Sequence, residues 1–472
     1  MRRITQEIPQ EVILEEKEAM ARVRSMQGRP ASYYIVTYGC QMNAHDSESL
    51  EGMLQEMGLR GAPDRTCADF VIFNTCCVRD NAERRALGNV TWLKELKKTN
   101  PDLRVAVCGC MIQEPGMADQ ILRTYPFIDL AFGTHNLYHF PTLFEQMVIR
   151  QRRVIEVVND DLGSVPEELP IVRANPYQAY ITIMYGCNNF CSYCIVPSVR
   201  GRERSREPGR ILEEAEQLRR EGVKEIMLLG QNVNSYGLDR ENGMTFAQLL
   251  SEIDKIGIER VRFMTSHPKD LSVELMDVMA NGKHICPQLH LPVQHGNNRI
   301  LKSMNRRYTR EAYLEKVRML RERIPNISLS TDLIVAYPGE TEEEFLDTCS
   351  LVEEVRYDSA FTFIYSPRTG TPAAKMPGQI DPETASTRIQ KLIAIQKRIT
   401  AENFQNYIGQ CHQVLVDAPS RRDPRQMSGK NEYNITVNFD GTPELIGQIV
   451  PVTITEARET TLRGTTAEAK HD

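Results

Sequence analysis

Gly186-Cys187-Asn188-Asn189-Phe190-Cys191-Ser192-Tyr193-Cys194 follows directly on 179–184, an apolar run that reads as a strand. The spacing C-x3-C-x2-C gathers three thiols in one loop. Three thiolates can grip three corners of a four-iron cluster and leave the fourth iron without a cysteine. An open coordination position separates a catalytic metal site from a structural one. Structural zinc with a distant fourth ligand is the competing reading. The spacing, and a place on a strand-to-helix loop, argue against it.

Working outward, strand-like runs recur at 225–229, 261–264, 288–291, 328–335 and 360–364. Helical patterns at 210–221, 311–323 and 342–354 fall between them. Six strand–helix units predict a (β/α) barrel over 177–404 that is incomplete, because a full eight-stranded barrel takes about 250 residues. A helix over 382–404 ends this unit.

Upstream, 31–150 also alternates strand (33–38, 70–73, 104–107) with helix (47–57, 82–98), which predicts a parallel sheet covered by helices. Its strands end at Cys40, Cys76 and Cys110, spaced about one strand–helix unit apart. Parallel strands put their carboxyl ends on one edge, where ligands bind. The three thiols therefore converge, and they too suit a cluster with an open iron. Three unrelated core cysteines is the plainer alternative. Cys77 and Cys108 compete for the same roles, although Cys76 after Asn-Thr and Cys110 after Gly sit where a strand-end loop aims outward. Cys67, Cys286, Cys349 and Cys411 have no partner at useful spacing and read as packing residues.

Residues 1–30 read as a solvated tail, since 11–26 is helical in pattern but lacks a strong apolar face. Residues 151–176, with a hairpin-like start at 153–158, read as a linker. Over 405–470 the pattern changes to short strands (414–416, 435–439, 446–454, 460–463) with Gly and Pro turns. That predicts a small all-β barrel of the oligonucleotide-binding kind, or a mere cap.

The chain has 472 residues, 12 cysteines and a net charge of −6. It is no generic polyanion binder, so a nucleic acid must be held by a local basic surface. No apolar run is long enough for a membrane span, and the start lacks the apolar core of a signal peptide. A cytoplasmic protein is expected, whose clustered cysteines are metal ligands or catalytic groups and not disulfides.

The three-cysteine loop resembles the signature of the radical-SAM enzymes. With the N-terminal cysteines and the β module, the whole chain from residue 32 resembles the radical-SAM methylthiotransferases. The resemblance rests on Tyr38-Gly-Cys-Gln-Met-Asn43, Asn74-Thr-Cys-Cys-Val-Arg79 with Asn81-Ala-Glu83, and Gly109-Cys-Met-Ile-Gln113. It continues through Val196-Pro, Arg200-Gly201, Ser205-Arg206, Leu229-Gly-Gln-Asn-Val-Asn-Ser-Tyr236 and His290-Leu-Pro-Val-Gln294. Gln-Met-Asn after Cys40 points to the branch that acts on tRNA. Cys77 and His295 stand where small residues are commoner, and Ala336-Tyr337 replaces a frequent Gly-Phe.

What the resemblance implies is an α/β fold: a parallel-sheet N-terminal domain, a partial barrel of the radical-SAM type, and a C-terminal TRAM barrel. Cys187, Cys191 and Cys194 would hold one [4Fe-4S] cluster, and Cys40, Cys76 and Cys110 the other. S-adenosyl-L-methionine would act as methyl donor and as radical source, so that C2 of N6-isopentenyladenosine beside the anticodon gains a methylthio group. Threonylcarbamoyl-adenosine tRNA or a ribosomal-protein aspartate is the alternative substrate. An unactivated aromatic C–H bond cannot be thiolated by acid–base catalysis, which is why a radical is needed.

S-adenosylmethionine should lie across the carboxyl ends of the core strands, with Tyr193, Gln231, Asn232, Ser266, Gln294, Ser330 and Asp332 as candidate contacts. In the Arg-rich stretch 200–206, Arg200 and Arg206 are candidates for phosphate or cluster contacts, a solvated charge run being the alternative. Arg421, Arg422, Arg425 and Lys430, taken as one loop, are the candidate phosphate grip of the β module. The expected partners are a tRNA carrying N6-isopentenyladenosine and a reductant such as a flavodoxin or ferredoxin. No membrane partner is expected, and the chain reads as a monomer.

Overall fold

The computed structural model describes residues 6–466, apart from 78–79, 151–152, 159–163, 166, 168 and 242. Val78 and Arg79 of the second cysteine motif lie outside the described residues.

Phe70–Thr75 is buried along its whole length, as a strand covered on both faces must be. It lies inside a six-stranded, all-parallel sheet in the order Arg60–Gly61, Ser32–Thr37, Phe70–Thr75, Arg104–Gly109, Leu130–Phe132, Val154–Glu156. Register pairs Thr37 with Asn74, and Asn74 with Cys108, so the carboxyl ends of the three cysteine-bearing strands share one edge. Val154–Glu156 corrects the hairpin-like reading of the linker, because it is a single parallel edge strand.

The expected tail is also corrected. Gln10–Ser25 is a helix that buries Ala19, Met20 and Val23 against Phe140–Arg150. Its buried Glu16 is satisfied by His139 Nδ1 at 2.8 Å and Thr142 Oγ1 at 2.9 Å. Cys67 and Cys411 are exposed and so are not packing residues, whereas Cys286 and Cys349 are buried.

The core contains six parallel strands in two sets of three. Gln178–Thr182, Glu225–Leu229 and Arg260–Phe263 form one, and Gln288–His290, Ser328–Val335 and Ser359–Ile364 the other. A bridge between Val261 and Ile285 joins the sets. Among the described residues no pairing closes Ser359–Ile364 back onto Gln178–Thr182, so the barrel is open. Its apolar core lies between the strands and the covering helices, where Ile181, Leu228, Leu289 and Leu333 share one cluster with Ile211, Leu218 and Leu250.

Pro382–Gln405 leads into a closed five-stranded barrel in the order Cys411–Pro419, Gln426–Lys430, Thr436–Asp440, Leu462–Thr466, Ile449–Ala457. The barrel sits on the amino ends of the core strands. Arg260 donates to the carbonyls of Lys430, at 2.7 Å, and Gln413. Arg262 donates to those of Asn431, at 2.7 Å, and Glu432, at 3.0 Å. Gln178 Nε2 donates to Asp417 at 2.8 Å.

Gln41–Glu56 is the joint between the N-terminal sheet and the core. Met42 packs with Met227 and Leu229 of the core, and the Glu48 carbonyl accepts from Val172 N at 3.1 Å. Held between two domains, this helix buries Asn43, His45, Asp46, Ser47, Glu48 and Ser49, residues that would normally face water.

Candidate active site

The left-handed backbone at Gly186 (φ 74°) turns the strand into the three-cysteine loop. A Cβ there would lie 2.0 Å from the Arg202 carbonyl oxygen. The loop is tied down by Gly186 N to Gln231 Oε1 (2.5 Å), Cys187 N to the Gly201 carbonyl (3.1 Å) and Ser192 Oγ to the Ser303 carbonyl (2.8 Å). Arg306 is buried and donates from Nη1 to Cys191 Sγ at 3.4 Å. Burial pushes the Cys187 thiol up to about 11 and the Cys194 thiol up to about 12.

Asn43 is the hub of the N-terminal cysteines. Its Oδ1 accepts from Cys40 Sγ at 3.6 Å, Cys110 Sγ at 3.9 Å and Arg200 Nη2 at 3.2 Å. Its Nδ2 donates to the Thr75 carbonyl at 2.8 Å, which fixes the backbone just before Cys76. Gly39 (φ 121°) leaves room for Cys76, whose Sγ lies 2.9 Å from where a Cβ on residue 39 would stand. Cys40, Cys76 and Cys110 are thus brought to one rim. Cys108 points away, into the apolar cluster with Phe132 and Phe140. Cys77 belongs to the rim, since its thiol donates to Cys110 and, with Arg200, pulls the Cys110 thiol down.

Arg200 joins the two sites. It lies in the core, just after the helix Val196–Val199, yet its Nε donates to Cys110 Sγ at 3.3 Å and its Nη2 to Asp46 at 2.6 Å. Ile195 and Val199 pack directly on Cys77 and Cys110. Of the two readings for Arg200, a contact at the cysteines replaces the RNA phosphate, because the guanidinium is buried. Arg206 is corrected likewise: its buried head is held by Glu167 (2.6 Å), Glu214 (2.9 Å) and the Thr182 carbonyl (2.7 Å).

Of the candidate S-adenosylmethionine residues, Gln231, Asn232, Ser266 and Gln294 stand just past the carboxyl ends of core strands, and Ser330 and Asp332 lie within a strand. Ser330 and Asp332 share one face of Ser328–Val335, and both flank His290, whose Nδ1 is 3.0 Å from Ser330 Oγ and whose Nε2 is 3.5 Å from Asp332. Tyr193 packs beside Ile300, Ile334 and Tyr337. Gln231 is engaged with the loop backbone, and Asn232 Nδ2 with Asp270 at 2.8 Å. Three non-glycine residues at strand ends have left-handed backbone: Thr265 (φ 66°), Gln294 (φ 72°) and Ala336 (φ 59°). Such strain concentrates at functional sites.

Ser266 Oγ, His267 Nε2 and Asn232 Oδ1 are buried with no partner among the described residues. Buried polar atoms are rarely left unpaired, so a polar ligand lying across these strand ends fits them. The cysteines pass a similar test. Among the described residues no group of three Cys, His, Asp or Glu side chains is arranged to hold a single metal ion. A cluster that takes one thiolate per iron fits each set of three instead, and its charge would deprotonate the Cys187 and Cys194 thiols, which burial pushes up.

The β module separates the four basic candidates. Arg421, Arg422 and Arg425 are exposed on the turn between the first two strands. Lys430 is not in that loop. It ends Gln426–Lys430, donates to the Asn434 carbonyl at 3.2 Å, and is turned toward the core, where burial lowers its pKa. Sequence reading gave no role to Asn43, Arg306, His267 or His290. Asn43 and His290 stand inside quoted motifs, whereas Arg306 carried no local signal.

Comparison with known proteins gives the class first. Residues 181–352 match the Radical SAM superfamily, residues 32–133 the Uncharacterized protein family UPF0004, and residues 405–467 the TRAM domain. Among solved structures, a radical S-adenosylmethionine methyltransferase, TsrM, from Kitasatospora setae shares the fold with a TM-score of 0.51. It is 16% identical and covers 73% of this chain and 75% of its own.

Curated relatives that carry the name tRNA-2-methylthio-N(6)-dimethylallyladenosine synthase match nearly the whole chain. The one from Alkaliphilus oremlandii is 52% identical over 93% of this chain and 93% of its own. That from Acetivibrio thermocellus is 49% identical over 96% and 95%, and that from Carboxydothermus hydrogenoformans 50% over 92% and 98%. The chain belongs to the tRNA-2-methylthio-N(6)-dimethylallyladenosine synthase family.

Proposed function

We propose that this chain methylthiolates C2 of N6-isopentenyladenosine beside the anticodon of tRNA. The observation that carries the reading is Arg200, which begins in the core, just after the helix that follows the Cys187–Cys194 loop, and ends on Cys110. Two three-cysteine sites so close together suit a reaction that opens a carbon at one and delivers sulfur from the other.

Cys187, Cys191 and Cys194 would hold the [4Fe-4S] cluster that binds S-adenosylmethionine, and Cys40, Cys76 and Cys110 the second. When bound, these groups supply one-electron cleavage of a sulfonium, a radical able to take hydrogen from C2, and a methylated sulfur to replace it. The chain's own residues position the parts. Asn43 holds the strand ends in register, and Arg200 and Arg306 each offset thiolate charge at one site. Gln231 fixes the radical loop, while Ser266, His267 and Asn232 offer unpaired polar atoms to the S-adenosylmethionine. Gln294 stands at a strand end, Tyr193 in the radical loop, and Ser330 and Asp332 on one face of Ser328–Val335, as further candidate contacts. The turn bearing Arg421, Arg422 and Arg425 would grip phosphate, so RNA affinity is salt-sensitive, and it is modest because the module is slightly acidic overall.

Mass spectrometry of nucleosides from a strain lacking the gene tests this. The expected profile loses 2-methylthio-N6-isopentenyladenosine and accumulates the unthiolated nucleoside. An unchanged profile refutes the substrate. Anaerobic reconstitution should find about eight irons per chain, and about four would remove one of the two sites.

A further inference from the structure

Phe190 stands between two cysteines of the radical loop and is 40% exposed. Its backbone is left-handed (φ 47°), a genuine outlier for a bulky side chain. Asn305 holds it there, donating from Nδ2 to the carbonyls of Phe190, at 2.9 Å, and Asn189, at 3.1 Å. The Arg202 guanidinium lies 4.6 Å above the ring. Strain, a dedicated clamp and an exposed ring together mark a surface built for contact.

The charges around it are one-sided. Arg202, Lys302 and Arg307 are exposed and make no ion pair among the described residues. Lys302 and Arg307 flank the clamp, since Asn305 N bonds the Lys302 carbonyl at 3.0 Å. The acid beside Arg202 is already engaged: Glu203 accepts from Asn188 N at 3.1 Å. On a chain of net charge −6 this cationic rim around an aromatic ring is a local exception.

We propose that Phe190, Arg202, Lys302 and Arg307 form the docking surface for a small acidic one-electron carrier. The inference rests on the reading that Cys187, Cys191 and Cys194 hold a redox cluster, and it names where the electron enters. In the handover the carrier loses one electron, the three-cysteine site gains one, and no bond forms or breaks. Position favours an electron carrier: Phe190 lies inside the loop, between Cys187 and Cys191, and its clamp Asn305 adjoins Arg306, which donates to Cys191 Sγ. The surface is also remote from the TRAM barrel, which caps the amino ends of the core strands through Arg260 and Arg262. Basic charge with an aromatic centre steers an acidic protein and then excludes water at the contact.

The test mixes the reconstituted protein with a purified acidic flavodoxin in its hydroquinone form and follows flavin oxidation by stopped flow. The second-order rate should fall steeply with added salt, and R202E with R307E should lower it about 10-fold at low salt. R307Q, which leaves the ring contact alone, should lower it less but in the same direction. Carbodiimide should link a flavodoxin carboxylate to Lys302, as mapped by mass spectrometry. Dithionite needs no docking surface and should reduce wild type and variants alike. Flavin oxidation rates equal in all variants overturn the proposal. So does a charge-reversed protein that loses tRNA affinity but keeps its flavodoxin rate, an outcome that assigns the surface to RNA. A reconstituted protein without iron bound at Cys187, Cys191 and Cys194 fails the underlying reading instead, and iron analysis tells the two failures apart.

Discussion

Arg200→Met removes a guanidinium from a place where water cannot replace it. Arg200 and Asp46 side chains are 6% and 7% exposed and 2.6 Å apart. At an effective dielectric of about 20, their attraction is about 6 kcal/mol. That is comparable with the several kcal/mol per ion lost by taking both out of water. The intact pair therefore adds little net stability, but breaking it strands a buried carboxylate at about 3–5 kcal/mol. Asp46→Leu alone strands the arginine, which keeps Asn43 and Cys110 as partners and so loses less. The double variant should recover most of the loss, with a coupling of about 2 kcal/mol or more. The chain's single tryptophan, Trp92, lies on the helix Asp80–Thr99 of the N-terminal domain, so its fluorescence reports that domain alone. Urea unfolding of the iron-free chain under anaerobic reductant, followed at Trp92, gives all four stabilities. If the single losses simply add, within about 0.5 kcal/mol, Arg200 does not join the two sites by its charge.

Three further outcomes are expected. Gly186→Ala puts a methyl group 2.0 Å from the Arg202 carbonyl oxygen and should lower iron uptake at the radical loop, measured as iron per chain after reconstitution. Asp417 is raised to about 6, chiefly by burial and then by Glu225, so its ionisation opposes folding above that pH. Asp417→Asn should therefore be more stable than wild type at pH 8 by about 1–2 kcal/mol, discounted for partial exposure. The gain should fade as pH falls through 6 toward 4, in paired thermal melts. Ala336→Gly should cost nothing or add up to about 1 kcal/mol, because Ala336 sits at φ 59°. In a helix the same change costs about 1 kcal/mol, so denaturant midpoints decide the sign.

The strand ends and their cysteines were legible because both depend on local pattern: apolar runs, a glycine, then a thiol. The six core strands and the open barrel could be read for the same reason. Burial of charge could not. Arg200 and Arg206 look alike in a basic stretch, and only the fold shows that one meets Cys110 and the other Glu167 and Glu214. Gln10–Ser25 was read as a tail because its buried face is short and includes Glu16, whose partners lie more than a hundred residues away. Gln426–Lys430 escaped notice because Gln-Met-Ser-Gly-Lys has no alternation, its burial coming from barrel closure. His295 and Ala336 looked like unrelated departures from the family pattern. In the fold both bind Glu340, through His295 Nε2 at 2.8 Å and Ala336 N at 2.6 Å. A change at one is therefore felt at the other.

Arg260 and Arg262 address the β barrel through main-chain oxygens, while Asp417 and Glu459 are barrel side chains that answer core residues, Gln178 and Lys397. The two arginines of that mount read the path of the chain and not its side chains. The barrel's outer residues are then free to drift without redesign of those four main-chain contacts. Chimaeras that exchange 405–466 between relatives should assemble for the same reason.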